Sequence, residues 1–174
     1  MTWTLLAPRG AETPQQRLEQ LYRTCRDDVY AYVATLLGDR HLAEDVTALS
    51  FERAFRRRGL FNSRRGSERA WLFAIARNAA LDELRRRRRT APLAADPADW
   101  LDAGDEAEGA LRRAVVKAAL AGLTPREREL VTLKFHAGLG NPDIARVLGV
   151  SESNAGTLLH RTITKLRSAC NEQA

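Results

Sequence analysis

The stretch PDIARVLGVSESNAGTLLHRTITKL, residues 142–166, decides the fold. It predicts a short helix from Pro142 to Leu148, a turn at Gly149-Val150-Ser151, and a second helix from about Glu152 to Leu166. Ile144, Ala145 and Leu148 form the inner face of the first helix, and Gly149 permits the sharp turn between them. In the second helix Ala155, Leu159, Ile163 and Leu166 recur at steps of three and four. That leaves Ser153, Asn154, Gly156, Thr157, His160, Arg161 and Lys165 pointing outward, with Ser151 as the cap. Short helix, glycine turn and second helix make the helix-turn-helix pattern, whose second helix lies in the DNA major groove. A helical hairpin that merely packs has the same local pattern.

Upstream, Leu123-Thr124-Pro125-Arg126-Glu127 starts another helix. Thr124 stands at the cap, Pro125 in the first turn and Glu127 three residues after the cap, a capping-box signature. A further helix is expected from about Ala110 to Ala121. Before it, residues 91–109 read as an acidic linker, with Pro92, Pro97 and Asp96, Asp99, Asp102, Asp105, Glu106 and Glu108. Trp100 and Leu101 are large for a linker and could dock a short segment on a partner.

In the N-terminal half, Leu18, Leu21, Tyr22, Cys25, Val29, Tyr32, Val33, Leu36 and Leu37 trace an amphipathic helix. Gly38 can close it in a left-handed conformation, and Asp39 can cap the next. That next helix has the inner stripe Ala43, Val46, Thr47, Ser50, Phe51, Ala54 and Phe55. The stretch from Gly59 to Gly66 breaks the periodicity, and Ser67 caps a third long helix from Glu68 to about Arg88. No strand pattern occurs. The fold class read from the sequence is all-α, with two small helical domains at residues 15–90 and 110–170 around the acidic linker, after a flexible N-terminus at 1–14.

At 174 residues each half buries only a modest core. The net charge of +6 favours a polyanionic partner, because basic surface gains free energy by releasing counterions from nucleic acid. No stretch approaches the roughly 18 to 20 continuous apolar residues of a membrane span, so membrane insertion is not expected and the location is cytoplasmic. Cys25 and Cys170 stand apart with no CxxC pair, so neither a disulfide framework nor a metal site is expected. Cys25 falls at a core position. No nucleophile–base pair, HExxH or glycine-rich phosphate loop occurs, so the reading is non-enzymatic, with no catalytic residue and no cofactor.

The segment from Leu123 to Arg167 resembles region four of sigma factors of the extracytoplasmic-function group, within the sigma-70 family. Response regulators of the LuxR type end in a similar helix-turn-helix. The N-terminal half separates the two. LYRTCRDDVYAYVATLLGDRHLAEDVTALSFERAFRR, followed by RRGSERAWLFAIARNAALDELRRRRR, resembles region two of the same sigma group, where LuxR-type regulators carry a domain with strands. The resemblance implies a subunit that joins core RNA polymerase and directs promoter recognition, promoter melting and transcription initiation.

On this resemblance, Phe61, Asn62, Arg64 and Arg65 in the loop capture a flipped base of the −10 element, while Trp71, Arg77 and Asn78 on the following helix contact the strand. Arg69 stands on the same helix, and the run from Arg85 to Arg89 attracts phosphate. The −35 element falls to Ser153, Asn154, Thr157, His160 and Arg161, with Lys134 on backbone phosphate. Gly156 and Leu158 replace positions that are commonly basic in the family. The second helix of region two docks on the β′ clamp helices of the polymerase, which maps to Asp45, Leu49, Glu52, Arg53 and Arg56; Ala48 and Leu49 replace a polar pair, and Phe55 a tryptophan. Region four engages the β flap, and an anti-sigma factor wedged between the domains is a further implied partner. A stand-alone LuxR-like regulator and a polymerase-binding adaptor without promoter function are the competing readings.

Overall fold

The computed structural model describes residues 13–90 and 107–172. Seven α-helices and two short 3₁₀ turns make up the described chain, which contains no strand. The order is α1 (Pro14–Leu37), α2 (Arg40–Arg56), α3 (Glu68–Thr90), α4 (Ala107–Ala121), α5 (Pro125–Phe135), α6 (Asn141–Leu148) and α7 (Glu152–Glu172). The all-α expectation and the helix-turn-helix of α6 and α7 are both realised.

Local chemistry sets the helix ends. Thr13 and Gln16 form a reciprocal capping box ahead of Pro14, so α1 begins a turn before the apolar periodicity does. Gly38 closes α1 at φ 63°, and the Asp39 carboxylate accepts from the Leu42 amide at 3.1 Å to open α2. Ser67 accepts from the Ala70 amide at the start of α3, and Thr124 with Glu127 forms the box that opens α5. Gly149 adopts φ 67° between α6 and α7, a conformation that side chains with a Cβ resist.

Helices α1, α2 and α3 pack on one another around Val29, Tyr32, Val33, Leu72 and Phe73, with the Tyr32 and Phe73 rings 5.3 Å apart. Cys25 is buried at its expected core position. The two halves do not keep separate cores. Leu130 and Leu133 of α5, Leu139 of the turn after it, and Ile144 and Leu148 of α6 join the same apolar cluster, as α5 packs on α1 and α6 on α3. A small satellite core of Leu120, Leu123 and Val131, with Leu166 against it, fixes α4 to α5 and α7.

Two sequence expectations need correction. Phe55 was placed on the inner stripe of α2 but is 43 % exposed, because it lies in the last turn of α2; the Arg58 guanidinium covers its ring at 4.3 Å. Residues 107–109, expected in the linker, are the first residues of α4. The rest of the linker, 91–106, with Trp100 and Leu101, lies outside the described residues, as does most of the expected N-terminal segment. No helix of the described residues is long and apolar enough to cross a membrane.

Candidate nucleic-acid interface

Between α2 and α3 the chain makes two 3₁₀ turns, Arg58–Leu60 and Ser63–Arg65, and the Asn62 side chain accepts from the Arg64 amide at 2.9 Å. Asn62, Arg64 and Arg65 are exposed, while Phe61 folds inward with its ring 5.7 Å from that of Trp71. Phe61, Asn62, Arg65 and Trp71 line a cleft of about 250 Å³, together with Arg146 of α6. The loop therefore presents an aromatic wall with cations at its rim. Trp71, half-buried, packs against the main core and also lines the cleft.

Arg77 and Asn78, adjacent in sequence, meet different surroundings. Asn78 is exposed. The Arg77 side chain is only 19 % exposed, and its Nε donates to Glu129 Oε1 of α5 at 2.7 Å. The same oxygen accepts from the Tyr32 hydroxyl at 2.9 Å, and Glu129 Oε2 accepts from Arg126 at 3.1 Å. Burial and the neighbouring Glu129 carboxylate push the Tyr32 phenol well above its ordinary value, so it stays protonated and donates. Arg69 is likewise turned inward: it donates to the Ala137 carbonyl, to Cys25 Sγ at 2.9 Å and to Asp28. In the run at the end of α3, Arg85 pairs with Asp82, Arg86 with Glu83 and Arg87 with Asp39, while Arg88 and Arg89 are exposed. The hydrogen bond from Arg86 holds the Glu83 carboxyl below its usual range.

On α7 the expected outward face is outward. Ser153, Asn154, Thr157, His160 and Arg161 are all exposed, and Ser151 caps the helix by accepting from the Asn154 amide at 3.2 Å. Lys134, at the end of α5, is half-buried. Gly156 lies close to α6: a Cβ there would meet the Asn141 side chain at 3.5 Å, an ordinary contact, so nothing in the packing demands glycine. Thr162, one position after Arg161, is buried, with its hydroxyl donating to the Leu158 carbonyl.

A third surface lies on α2. Asp45, Glu52 and Arg56 are exposed, and Leu49 and Arg53 are half-buried. Arg56 pairs with Glu52 at 2.6 Å and Arg53 with Asp82 at 3.4 Å, which leaves exposed Phe55 as the large apolar group among them. Sequence reasoning gave Tyr32 only as a core position and Ser67 only as a cap, and did not single out Glu129, Asp143 or Arg146; Tyr32 bonds Glu129 and Ser67 bonds Asp143 across the two halves of the chain. Glu129 does fall at helical spacing with buried Leu133, a signal of burial, but its partners lie 52 and 97 residues away in sequence.

Comparison with known proteins agrees with this architecture. Residues 21–90 match the family Sigma-70 region 2, and residues 113–166 match Sigma-70, region 4. The chain is 31 % identical over 147 residues to the ECF RNA polymerase sigma factor SigL of Mycobacterium tuberculosis, covering 83 % of each. It is 34 % identical over 154 residues to the ECF RNA polymerase sigma factor BldN of Streptomyces coelicolor, spanning 84 % of this chain and 58 % of that protein's length. Its fold is similar to the sigma factor RpoE of Bartonella quintana, solved with the anti-sigma factor NepR, at a TM-score of 0.67 and 21 % identity over 90 % of this chain and 98 % of that one. CnrH, solved with the cytosolic domain of CnrY, superposes at a TM-score of 0.63 and 22 % identity over 92 % of this chain and 91 % of that one. Two sigma-70 regions in order, with a relative of this identity matched along most of its length, place the chain in the extracytoplasmic-function RNA polymerase sigma factors, the class of subunit that directs transcription initiation.

Proposed function

We propose that this sigma factor divides its work between two modules, residues 15–90 and 110–170, and acts wholly by binding, with no reaction catalysed and no cofactor. The observation that carries the reading is the loop between α2 and α3, where an aromatic-walled cleft beside Phe61 and Trp71 is rimmed by Arg65 and Asn62, with Arg64 exposed nearby. A flipped base needs an apolar slot with polar groups at its edge, and its backbone needs cations beside that slot. Phe61, Asn62, Arg64, Arg65, Trp71, Arg77 and Asn78 thereby take the −10 strand.

The −35 duplex meets α7 through Ser153, Asn154, Thr157, His160 and Arg161, while Lys134 takes phosphate. Exposure of all five α7 side chains along one helix supports this, because a recognition helix reads base edges from its solvent face. Core polymerase docks on α2 through Asp45, Leu49, Glu52, Arg53 and Arg56, with Phe55 added as an apolar anchor; the β flap engages the second module. The setting is cytoplasmic. An anti-sigma factor is a further partner by analogy with the two solved neighbours, each bound to a second protein.

The test is transcription of fragmented genomic DNA by purified bacterial core polymerase, with and without the protein, followed by mapping of transcript starts. Starts that require the protein and share two upstream elements are expected. Their absence despite verified polymerase binding would replace this reading with that of an adaptor lacking promoter function.

A further inference from the structure

We propose that the first module carries a second base pocket, a guanine site built from Arg17, Arg58 and Glu68 on the Phe61–Trp71 wall. The inference deepens the −10 assignment above and rests on it.

The site is a cavity of about 200 Å³ lined by Arg17, Leu18, Arg58, Phe61, Glu68 and Trp71. The start of α1, the first 3₁₀ turn and the start of α3 meet there. It shares Phe61 and Trp71 with the larger cleft, and the two have no other lining residue in common. Asn62 and Arg65 serve the larger cleft; Arg17, Arg58 and Glu68 serve this one. Its lining comes from the first module alone.

The polar groups are positioned with bonding capacity to spare. Arg58 donates through one nitrogen to the Phe55 carbonyl at 2.9 Å and lies over the Phe55 ring, which fixes its guanidinium and leaves other N–H groups. Arg17 is exposed and Glu68 half-buried. Among the described residues, Glu68 forms an ion pair with neither arginine. A carboxylate and two guanidiniums that line one cavity without closing on each other suit a guest with donors for the acid and acceptors for the cations.

Guanine has those edges. Its N1–H and N2–H lie side by side and suit the two oxygens of a carboxylate, while O6 and N7 accept from arginine. Cytosine and adenine bring an amino group with no ring N–H beside it, and thymine flanks its one N–H with carbonyls that the acid repels. Phe61 and Trp71, with rings 5.7 Å apart, supply the stacking faces. Both cavities use that one pair, so two bases of the same unstacked strand are held at a common wall. The −10 readout then covers one more base than the loop alone takes.

Glu68 also stands in the first turn of α3, where an acid complements the helix N-terminus. That role changes stability and is blind to DNA sequence, so base preference separates it from the pocket.

The experiment is transcription from a promoter library randomised across the −10 element, by core polymerase reconstituted with the full-length protein, followed by sequencing of the transcribed templates. The parent is expected to enrich guanine at one position. Glu68→Gln, which keeps the shape and replaces an acceptor oxygen with an amide donor, should cut that enrichment about tenfold and leave the other positions unmoved. Arg17→Ala, remote from the start of α3 in sequence, should weaken the same position and guards against a folding defect at Glu68. Asn62→Ala should shift a different position, that of the base taken by the larger cleft. A uniform fall in transcription with preferences unmoved in both pocket variants overturns the second pocket, and so does loss of preference for a base other than guanine. If Asn62→Ala still shifts its own position, the −10 assignment survives that failure; if no variant moves any −10 position, the assignment falls with it.

Discussion

Arg77 Nε donates to Glu129 Oε1 across 2.7 Å, and this one bond ties α3 to α5. Both side chains are largely removed from water, at 19 % and 6 % exposure, so the pair escapes most of the screening that makes surface ion pairs weak. Tyr32 and Arg126 complete the shell around the carboxylate.

Loss of one partner from such a node leaves a buried charge short of donors. Arg77→Ala is expected to lower unfolding free energy by about 3 kcal/mol. Tyr32→Phe, which removes a single neutral donor, should cost about 1 kcal/mol. Urea unfolding followed by circular dichroism measures both, and equal losses would show that the charge is not the dominant element of the node.

On α2 the large exposed apolar group is Phe55, with Leu49 half-buried beside the same surface. If this face docks on core polymerase, Phe55→Ala should weaken binding by roughly 1–2 kcal/mol, about tenfold, as an aromatic anchor does. Its effect on folding should be smaller, about 1 kcal/mol or less, since the residue is 43 % exposed in the free protein. Leu49→Ala should weaken polymerase binding in the same direction. Competition binding to core polymerase reads both.

Gly156→Ala should stabilise the protein by up to about 1 kcal/mol, because alanine is the better helix former and its Cβ meets only an ordinary contact with Asn141. Thr157 and Arg161 are exposed, so their replacement by alanine should leave thermal stability nearly unchanged while altering the preferred −35 sequence. A correct base contact is worth about 1–3 kcal/mol of discrimination. Selection from a randomised −35 library detects the change.

Acid should weaken the second module through Glu127. Hydrogen bonds from Lys165 Nζ at 2.9 Å and from the Thr124 amide at 2.7 Å hold its carboxyl below the usual carboxylate range. A lowered folded-state value means that the charged form is favoured by folding. The stabilisation is therefore complete above the unfolded value of about 4.3, and is lost as pH falls through that value to the lower folded one. Asp39, lowered by its bond from the Leu42 amide and by Arg87, acts in the same sense in the first module. Glu127→Gln retains a capping side chain but not the charge. Its urea midpoint should fall below that of the parent at neutral pH and converge with it toward about pH 3.

Much of the fold was legible because it is local. Gly38, Asp39, Ser67, Thr124, Gly149 and Ser151 act on backbone groups within a few residues, so their identity and spacing alone mark where helices stop and start. Periodicity likewise separates Ala155 and Leu159, buried, from Thr157, His160 and Arg161, exposed. Phe55 escaped this logic, since an apolar residue at the right spacing is buried only where a neighbouring helix reaches it. The surroundings of Arg77 escaped it altogether. From sequence, Arg77 and Asn78 are adjacent polar residues on one helix; only the packing of α5 against α1 brings Glu129 to the first of them and leaves the second in solvent. The sequence by itself determined the helices, the caps that open five of them and the apolar stripes that most of them bury, because hydrogen bonds and apolar stripes repeat over three or four residues. Tertiary structure alone decided that the two halves share a core and that an acid of one covers a cation of the other, because burial and ion pairing depend on distances that chain order does not encode.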